Sequence, residues 1–398
     1  MEKENKLKIL QVISTPPFAW ATGGCARISF DFSKELVKRG NSVTILTTDM
    51  LKPQERCKNK DEIIEGVRIL RFRNISDRLA WNYKFYFSTG IIKYLKNNVS
   101  NYDIVHLQDL ISIQAFFTMR YCKKNKIPYI LTPHGSLKWF LDRKLINNVY
   151  YRLFGKKILN NSCKITAFTK FEAEQVEELG LNKNKTKIIP NGLDLDCYQN
   201  LPESGLFREK YSIDKNDSII LYLGRIHESK GIQLLLLAFK KLNKEIHKSK
   251  LVIVGPDDGF LREVKKLVSF HEIESNVIFT GPLYEKEKLS AYVDADLHVL
   301  PRSWEPFGLT LIESCACGTP VICIDGCGIS DFVEKSGYVV KYDENEIKTA
   351  MIKLLHNKNL IHKIKFEGKL LVNQHYNLSI IVEKLEKIYI DCLEQNNL

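Results

Sequence analysis

The segment from Lys8 to Thr47 reads KILQVISTPPFAWATGGCARISFDFSKELVKRGNSVTILT and decides the architecture of the chain. Its two apolar runs, Lys8–Ile13 and Ser42–Thr47, predict strands. Between them, the apolar side chains of residues 26–38 fall on one stripe of a helix. Gly40 is typical of the residue that ends such a helix. A strand, a helix and a second strand in this order predict a parallel sheet covered by helices.

This alternation continues along the chain and then starts again. Further strands are predicted at Ile104–Leu107, Pro128–Thr132, Lys164–Phe168, Lys187–Pro190, Ser218–Leu223, Leu251–Val254, Val277–Thr280, Leu297–Leu300 and Val321–Ile324. The expected fold class is α/β, with two doubly wound, Rossmann-like domains facing across a cleft. We place the first domain at 1–197, the second at 198–372 and a further helical segment at 373–398. The Asn-Gly turn at Asn191–Asp194 is interpreted first as a hinge.

The composition is that of a globular protein with a basic surface. The 398 residues are 44% hydrophobic and 27% charged, with a formal net charge of +12. Without an apolar run of 18 residues, a membrane span is not expected, and the polar start lacks the pattern of a secretory signal. The ten cysteines contain no C-x2-C pair, so we expect buried free thiols in a reducing cytosol and no metal site. The charge favours anionic partners without choosing among them.

Two carboxylates stand eight positions apart in Glu305-Pro-Phe-Gly-Leu-Thr-Leu-Ile-Glu313. The Pro-Phe-Gly turn opens an apolar helical run, and the free N–H groups at a helix N-terminus suit a phosphate. The carboxylates can accept hydrogen bonds from sugar hydroxyls. A nucleotide-sugar has both chemistries. The alternative is a surface glutamate before a turn and an ordinary glutamate within a helix.

A second pattern follows the predicted strand Ser218–Leu223. Arg225 leaves this strand and Lys230 comes five residues later, before the next helix. Two cations on one loop beside a helix N-terminus predict an anion clamp, because arginine grips phosphate oxygens and lysine adds a point charge. The alternative is a solvated pair of charges.

The first half of the chain contributes two candidate positions. Gly23 and Gly24 lie between the first strand and helix, where glycine allows a ligand to approach the backbone; a plain flexible loop is the alternative. His134 lies on a Pro-His-Gly turn after a strand, where we expect it to be exposed to the cleft and to contact a sugar hydroxyl. A structural histidine is the alternative there. His106, within a strand, is expected to be buried with its hydrogen bonds satisfied.

A basic and aromatic segment runs from residue 139 to 157. It contains Trp139, Phe140, Arg143, Lys144, Tyr150, Tyr151, Arg152, Phe154, Lys156 and Lys157. Cations interleaved with rings suit the surface of an anionic membrane. An amphipathic helix that packs on its own domain explains the same pattern.

The order and spacing of these motifs resemble the retaining glycosyltransferases of family 4, also called group 1, which have GT-B architecture. The match is carried by Gly23-Gly24, His134-Gly135, Asn191-Gly192-x-Asp194, Gly224-Arg225, Lys230-Gly231, Glu305 to Glu313, and Ala316-Cys-Gly-Thr-Pro320. The resemblance implies that the first domain binds the acceptor and the second binds the nucleotide-sugar. It also implies that residues 373–398 cross back to the first domain. One departure is Gln108, where many relatives carry a histidine.

The resemblance further implies roles for single residues. Arg225 and Lys230 would contact the donor diphosphate, Glu313 the ribose and Glu305 the hydroxyls of the transferred sugar. His134 would lie beside that sugar. Backbone N–H groups near three consecutive residues would bind sugar and phosphate: Phe307, Gly308 and Leu309. Gly23 and Gly24 would lie near the phosphates and the acceptor. The predicted catalytic residues are His134, Arg225, Lys230 and Glu305.

The sequence therefore predicts a cytosolic enzyme that moves a hexose-type sugar from a nucleoside diphosphate to an acceptor hydroxyl, without a metal or other cofactor. A glycan or lipid-linked acceptor in surface polysaccharide or glycolipid synthesis is favoured, as is peripheral contact with the cytoplasmic face of an anionic membrane. A nucleotide-sugar 2-epimerase of the same architecture is the rival enzyme. A basic nucleic-acid-binding protein is the remote alternative, since the charges form no contiguous stripe.

Overall fold

The computed structural model describes residues 6–19, 24–52, 55–83, 85–142 and 145–397. The chain divides into two compact units. The first domain comprises residues up to Gly192 together with Leu378–Leu398, and the second domain comprises Leu193–Asn377. The boundaries expected from the sequence are 197 and 373. The first boundary lies earlier because Asp194 caps the 3-10 turn Leu195–Tyr198, which belongs to the second domain. The last boundary lies later because a helix of the second domain, Lys358–His375, continues to residue 375 before the chain returns to the first domain.

The first domain begins with alternating strands and helices. Its strands are β1 (Lys8–Val12), β2 (Ser42–Thr48), β3 (Met50–Lys52), β4 (Glu55–Arg56), β5 (Asp61–Ile64), β6 (Val67–Phe72), β7 (Ile104–Leu107), β8 (Tyr129–Leu131), β9 (Lys164–Ala167) and β10 (Thr186–Ile188). Its helices before residue 192, where the chain passes into the second domain, are α1 (Gly24–Lys38), α2 (Asp77–Tyr83), α3 (Thr89–Asn98), α4 (Ile113–Asn125), α5 (Leu137–Leu141), α6 (Leu145–Tyr150), α7 (Lys156–Asn161) and α8 (Lys170–Glu178). A π-helical turn lies at Tyr151–Gly155.

Eight of these strands form one sheet in the order β10-β9-β8-β7-β1-β2-β6-β5. All neighbours are parallel except β5 and β6, which form an antiparallel hairpin at the edge. The central strands β1 and β7 are almost wholly buried, as expected for a parallel sheet covered on both faces. Gly40 follows α1 with φ +96°, so the helix ends where the sequence predicts.

The second domain repeats the alternation. Its strands are β11 (Ser218–Leu223), β12 (Ser249–Val254), β13 (Val277–Gly281), β14 (Leu297–Leu300), β15 (Val321–Ile324) and β16 (Gly337–Val340). Its helices are α9 (Leu206–Lys210), α10 (Ile232–Glu245), α11 (Leu261–Phe270), α12 (Glu285–Asp294), α13 (Leu309–Ala316), α14 (Ser330–Ser336), α15 (Glu344–His356) and α16 (Lys358–His375). The six strands form a sheet in the order β13-β12-β11-β14-β15-β16, and every neighbouring pair is parallel. These two sheets confirm the predicted α/β class with two doubly wound domains.

The last helix, α17 (Leu378–Asn397), belongs to the first domain. Its Val382, Leu385 and Tyr389 are fully buried. On the same helix, Glu386 accepts hydrogen bonds from Nε of Arg39 at 2.8 Å and from Nδ2 of Asn41 at 2.5 Å, just beyond the end of α1. The chain thus completes its first domain only after it has built the second.

Candidate functional site

The predicted donor-binding residues lie where the strands of the second sheet end. Arg225 follows β11 and Glu305 follows β14, and these strands are neighbours in the sheet. In a doubly wound domain this edge is the usual place for a ligand. The topological switch point of the sheet lies between β11 and β14. Strands β12 and β13 are added on one side of β11, whereas β14, β15 and β16 are added on the other.

Arg225 forms an ion pair through Nη1 with Asp258, which follows β12. The two loops can lie side by side because Gly255 has no side chain: a Cβ there would stand 1.8 Å from the carbonyl oxygen of Gly224. The N–H of Ile226 also donates to the carbonyl of Pro256 at 2.9 Å. The Arg225 side chain keeps one third of its surface exposed, 33%. Asp258 therefore holds one side of the guanidinium, while the exposed part of the side chain is open to a ligand at the strand edge.

Lys230 lies at the centre of a partly buried charge cluster. Its Nζ donates to Oε2 of Glu305 at 3.0 Å, and Nη1 of Arg302 donates to the same oxygen at 3.0 Å. Gly231 makes this approach possible, because a Cβ at that residue would stand 2.1 Å from the carbonyl oxygen of Pro301. Its φ of +73° is also in the region that glycine tolerates best.

The cluster sets the charge state of its members. Burial lowers the pKa of the Lys230 ammonium, and the positive charges of Arg302 and Arg225 lower it further against the opposing effect of Glu305. Burial would by itself raise the pKa of Glu305, but the charges of Lys230 and Arg302 outweigh it and the pKa is lowered. Glu305 therefore stays ionised. With Asp258 it supplies two negative charges against the three of Arg225, Lys230 and Arg302, so the group carries one excess positive charge.

The backbone around Glu305 is fixed by a bridge to the neighbouring strand end. Its N–H donates to the carbonyl of Gly326 at 3.1 Å, and its carbonyl accepts from Gly328 at 2.8 Å. Gly326 is required here because a Cβ would stand 2.0 Å from the carbonyl oxygen of Ser303. The carboxylate thus projects from a segment clamped on both sides.

The turn after Glu305 opens α13 as the sequence predicts. Gly308 adopts φ +81°, and the helix begins at Leu309. The side chain of Phe307 is buried and packs edge-on against Tyr376, with ring centroids 5.9 Å apart. The first N–H groups of a helix have no acceptor within the helix, so this end of α13 is suited to an anion.

Glu313 lies on the same helix but is only 2% exposed. Its carboxylate accepts from Nζ of Lys288 at 2.7 Å and from the hydroxyl of Tyr292 at 3.0 Å. A buried carboxylate needs such partners, because removing its charge from water is costly. Glu305 and Glu313 therefore each have their own cations, and in this state Glu313 is a largely covered acceptor.

His134 lies in the first domain, at the end of β8. Its φ is +54°, an unusual value for a residue other than glycine. Its Nε2 is hydrogen-bonded to Oε1 of Gln108 at 2.7 Å, and its ring packs edge-on against Phe168 at 4.9 Å. The Nδ1 atom is buried, and burial lowers the pKa of the imidazole to about 3. The residue as a whole is half-buried, so the expectation of an exposed imidazole is wrong: its ring turns inward onto Gln108 and Phe168.

His106 is buried with both ring nitrogens bonded, as predicted. The Nδ1 atom lies 2.7 Å from the hydroxyl of Tyr389 on α17, and Nε2 lies 2.7 Å from Oγ1 of Thr132. Gln108 joins this network through its Nε2, which is 3.2 Å from Nδ1 of His106. A continuous set of hydrogen bonds thus runs from the last helix to His134.

Some predicted positions cannot be placed in the same way. Gly23 lies outside the described residues, as do Arg143 and Lys144 of the basic aromatic segment. Gly24 is exposed and is the first residue of α1. The ten cysteines are all free as expected, but only six are buried: Cys25, Cys57, Cys163 and Cys197 are not.

The structure also adds residues that the sequence analysis missed. Asp258, Arg302, Lys288 and Tyr292 are all direct partners of predicted site residues. Arg302 had a sequence signal, since it follows a predicted strand and stands three positions before Glu305. The others are single residues in unrelated segments. Only the strand order brings them to the site.

In the described ranges, no group of three or more histidine, cysteine or acidic side chains is arranged to hold a metal ion. Among the same residues, no helix is both long and apolar enough to span a bilayer.

Two models of glycosyltransferase families match the chain. The model described as Glycosyltransferase Family 4 matches residues 22–197, and the model described as Glycosyl transferases group 1 matches residues 204–370. An uncharacterized glycosyltransferase of Methanocaldococcus jannaschii is 25% identical over 383 residues, covering 92% of this chain and 94% of the relative. The alpha-monoglucosyldiacylglycerol synthase of Streptococcus pneumoniae is 26% identical over 377 residues, covering 91% and 81%.

Solved structures show the same fold. Anabaena HepE, crystallised with UDP and glucose, superposes with a TM-score of 0.78 at 16% identity, over 96% of this chain and 98% of that chain. This likeness identifies the GT-B fold. Because the two family models together span most of the sequence, the chain belongs to the family 4, or group 1, glycosyltransferases.

Proposed function

We propose that this glycosyltransferase transfers a hexose-type sugar from a nucleoside diphosphate to an acceptor hydroxyl with retention of anomeric configuration. The observation that carries the proposal is the set of cations at this strand edge: Lys230 and Arg302 paired with Glu305, and Arg225 paired with Asp258. Three cations against two carboxylates leave excess positive charge at a strand edge. The diphosphate of a nucleotide-sugar is the ligand that balances it.

The cluster also fits the chemistry of the reaction. As the bond between sugar and diphosphate breaks, the leaving group gains negative charge. Cations that are already in place stabilise this charge more than they stabilise the bound donor, which lowers the barrier. Lys230 and Arg225 are fixed by Glu305 and Asp258, so little reorganisation is needed at that moment. For the same reason we propose that the enzyme needs no divalent metal.

The remaining donor contacts follow from the position of α13. We assign the hydroxyls of the sugar to Glu305, and sugar and phosphate oxygens to backbone N–H groups at Phe307, Gly308 and Leu309. Glu313 is assigned to the ribose, which it can reach only if Lys288 shares it or moves. His134 and the glycines Gly23 and Gly24 are assigned to the sugar and acceptor side.

A surface of the first domain supports an acceptor held at a membrane. Leu145, Val149 and Leu153 are spaced four residues apart and are 82%, 48% and 52% exposed. Exposed cations accompany this stripe: Arg152, Lys156 and Lys157. An apolar stripe flanked by cations suits the interface of an anionic bilayer. We therefore propose a glycolipid or lipid-linked glycan as the acceptor, reached from the cytoplasmic face. The relative from S. pneumoniae is named for a diacylglycerol product, which agrees with this class.

A panel of nucleotide-sugars tests the donor. The purified protein is incubated with each one, with and without vesicles that contain diacylglycerol or a polyprenyl phosphate sugar. Release of the nucleoside diphosphate and formation of a new glycoside are followed by mass spectrometry and NMR. The proposal expects one preferred donor and a product with the anomeric configuration of that donor. Inversion would refute retention, an epimerised sugar formed from donor alone would replace transfer by epimerisation, and no donor binding at all would remove the proposal.

A further inference from the structure

Two cysteines from distant parts of the chain meet on the first domain, away from the strand ends that bear His134. Cys163 comes immediately before β9, where its N–H donates to the carbonyl of Tyr129 at 2.8 Å. Cys392 lies on α17 and is fully buried. Both thiols line one pocket, and Sγ of Cys163 donates at 3.9 Å to Oε1 of Gln395, three positions after Cys392. This pair lies at the amino edge of the first sheet, opposite the edge where ligands of such domains bind.

Cys163 is reachable from solvent. It is half-buried, and both cysteines line an open pocket of about 460 Å³. Lysines also line this pocket: Lys123, Lys126 and Lys185. A small anionic thiol or disulfide can therefore enter it and meet the sulfur of Cys163 first.

The surroundings divide the two thiols into different roles. The neighbouring Cys392 lowers the pKa of Cys163, and the charges of Lys164 and Lys185 lower it further. The neighbouring Cys163, together with burial, raises the pKa of Cys392. A thiolate is the attacking form in disulfide exchange, so Cys163 is the attacking sulfur and Cys392 its resolving partner.

We propose that Cys163 and Cys392 form a thiol–disulfide exchange site that reacts with low-molecular-weight disulfides. The Cys163 thiolate attacks one sulfur of the small disulfide and releases a thiolate, which takes up a proton from water. Cys392 then loses its proton to solvent and attacks the sulfur of Cys163, releasing the second small thiol. Two protein thiols are oxidised to one disulfide, and one small disulfide is reduced to two thiols.

The disulfide would join α17 covalently to the start of β9. Tyr389 lies three positions before Cys392 and is hydrogen-bonded to His106. Oxidation therefore fixes α17, the helix that carries Tyr389. The hydroxyl of Tyr389 belongs to the hydrogen-bond network that reaches His134 through His106 and Gln108. This consequence does not depend on the donor, the acceptor or the stereochemistry of transfer.

The chain contains its own control. In a second pair, the neighbouring Cys327 and burial raise the pKa of Cys323, and Sγ of Cys327 donates to the carbonyl of Phe307 at 3.8 Å. Cys323 and Cys327 are 0% and 4% exposed. Cys163 combines access from solvent with a lowered pKa, whereas Cys323 is buried and its pKa is raised. The two pairs should differ in reactivity for this reason.

Glutathione disulfide is the probe. The native full-length protein is incubated with it, blocked with N-ethylmaleimide, then unfolded, digested and analysed by mass spectrometry. We expect a peptide pair joined through Cys163 and Cys392, reversed by dithiothreitol, while Cys323 and Cys327 stay reduced. In Cys392→Ser, Cys163 should stop at a stable mixed disulfide with glutathione. In Cys163→Ser, Cys392 should stay reduced.

Other results would overturn the proposal. The proposal fails if Cys163 stays reduced, or if the mixed disulfide accumulates equally in wild type and in Cys392→Ser. It also fails if Cys323 and Cys327 are oxidised at the same rate as Cys163 and Cys392. A second measurement needs no variant: alkylation of Cys163 by iodoacetamide in the native wild-type protein should have its pH midpoint below that of free cysteine in the same buffer. A midpoint at or above free cysteine would contradict the assigned attacking role.

Discussion

Replacing Lys230 by alanine tests the charge cluster most directly. The change removes one preorganised donor from the position where the diphosphate would develop charge. Loss of one such donor costs about 3–4 kcal/mol of barrier, so we expect kcat to fall roughly 10²–10³-fold. Lys230 already has a lowered pKa because it is buried, so the folded protein is also relieved of a poorly solvated ammonium.

The effect on folding should be smaller than that on catalysis. Removing one partner of a buried ion pair typically costs about 3–5 kcal/mol, because the other charge is left unpaired. Here Glu305 keeps Arg302 at 3.0 Å. We therefore expect Lys230→Ala to lower the free energy of unfolding by only about 1–2 kcal/mol, below the usual range. Glu305→Ala should cost more, because it leaves the partly buried Lys230 and Arg302 close together without a counter-charge.

The assay pairs steady-state turnover with urea unfolding of wild type, Lys230→Ala, Glu305→Ala and a control. Lys241→Ala is the matched control, since Lys241 pairs with Glu344 at 3.1 Å on the same domain but on a more exposed surface. It should retain wild-type kcat. Turnover of Lys230→Ala within a few fold of wild type would refute the clamp. A Glu305→Ala protein more stable than Lys230→Ala would refute the charge balance.

Three further predictions concern the buried polar residues of the fold and the metal requirement of the reaction. Glu172 is buried and accepts hydrogen bonds from the N–H groups of Gly135 at 2.6 Å and Phe168 at 2.8 Å. In urea unfolding, Glu172→Ala should lower the free energy of unfolding by about 2–5 kcal/mol, and Glu172→Gln should lower it by less. Equal losses in the two variants would contradict a hydrogen-bonding role for this side chain. The pKa values of His106, His134 and His298 are lowered by burial to about 3, below the ordinary 6.5. Between these pKa values the unfolded chain binds more protons than the folded protein, so the free energy of unfolding should fall as pH drops from about 6.5 toward 3. His298→Gln should reduce the loss of unfolding free energy between pH 7 and 5, measured by urea titration. An unchanged loss would contradict the lowered pKa of His298. Finally, EDTA should leave turnover unchanged, whereas a loss restored by a divalent cation would show that the cations of the site are insufficient.

Much of the fold could be predicted because it depends on local periodicity. β7, β11, β14 and β15 have the predicted bounds, since short apolar runs between turns become buried parallel strands. The hairpin of β5 and β6 was not predicted. The strand β5 alternates exposed and partly exposed residues at the edge of the sheet, so it lacks the apolar run that marks the central strands.

The site was predictable only in part. Arg225, Lys230 and Glu305 carry recognisable spacing, and the structure brings Lys230 and Glu305 into contact. Their partners depend on the strand order, which places the end of β12 beside the end of β11 and so supplies Asp258. The inward turn of the His134 ring depends on Gln108 and Phe168, and no local pattern around His134 encodes either contact.

The return of α17 to the first domain has a consequence for synthesis and for the design of fragments. Residues 1–192 leave the ribosome long before α17 exists, so the nascent first domain must wait with an uncovered face while the second domain is translated and folds. Expression of 1–192 alone should give an aggregation-prone fragment, and linking 378–397 to it should restore solubility. A stop codon near the end of the message would thus damage the part of the protein that was made first.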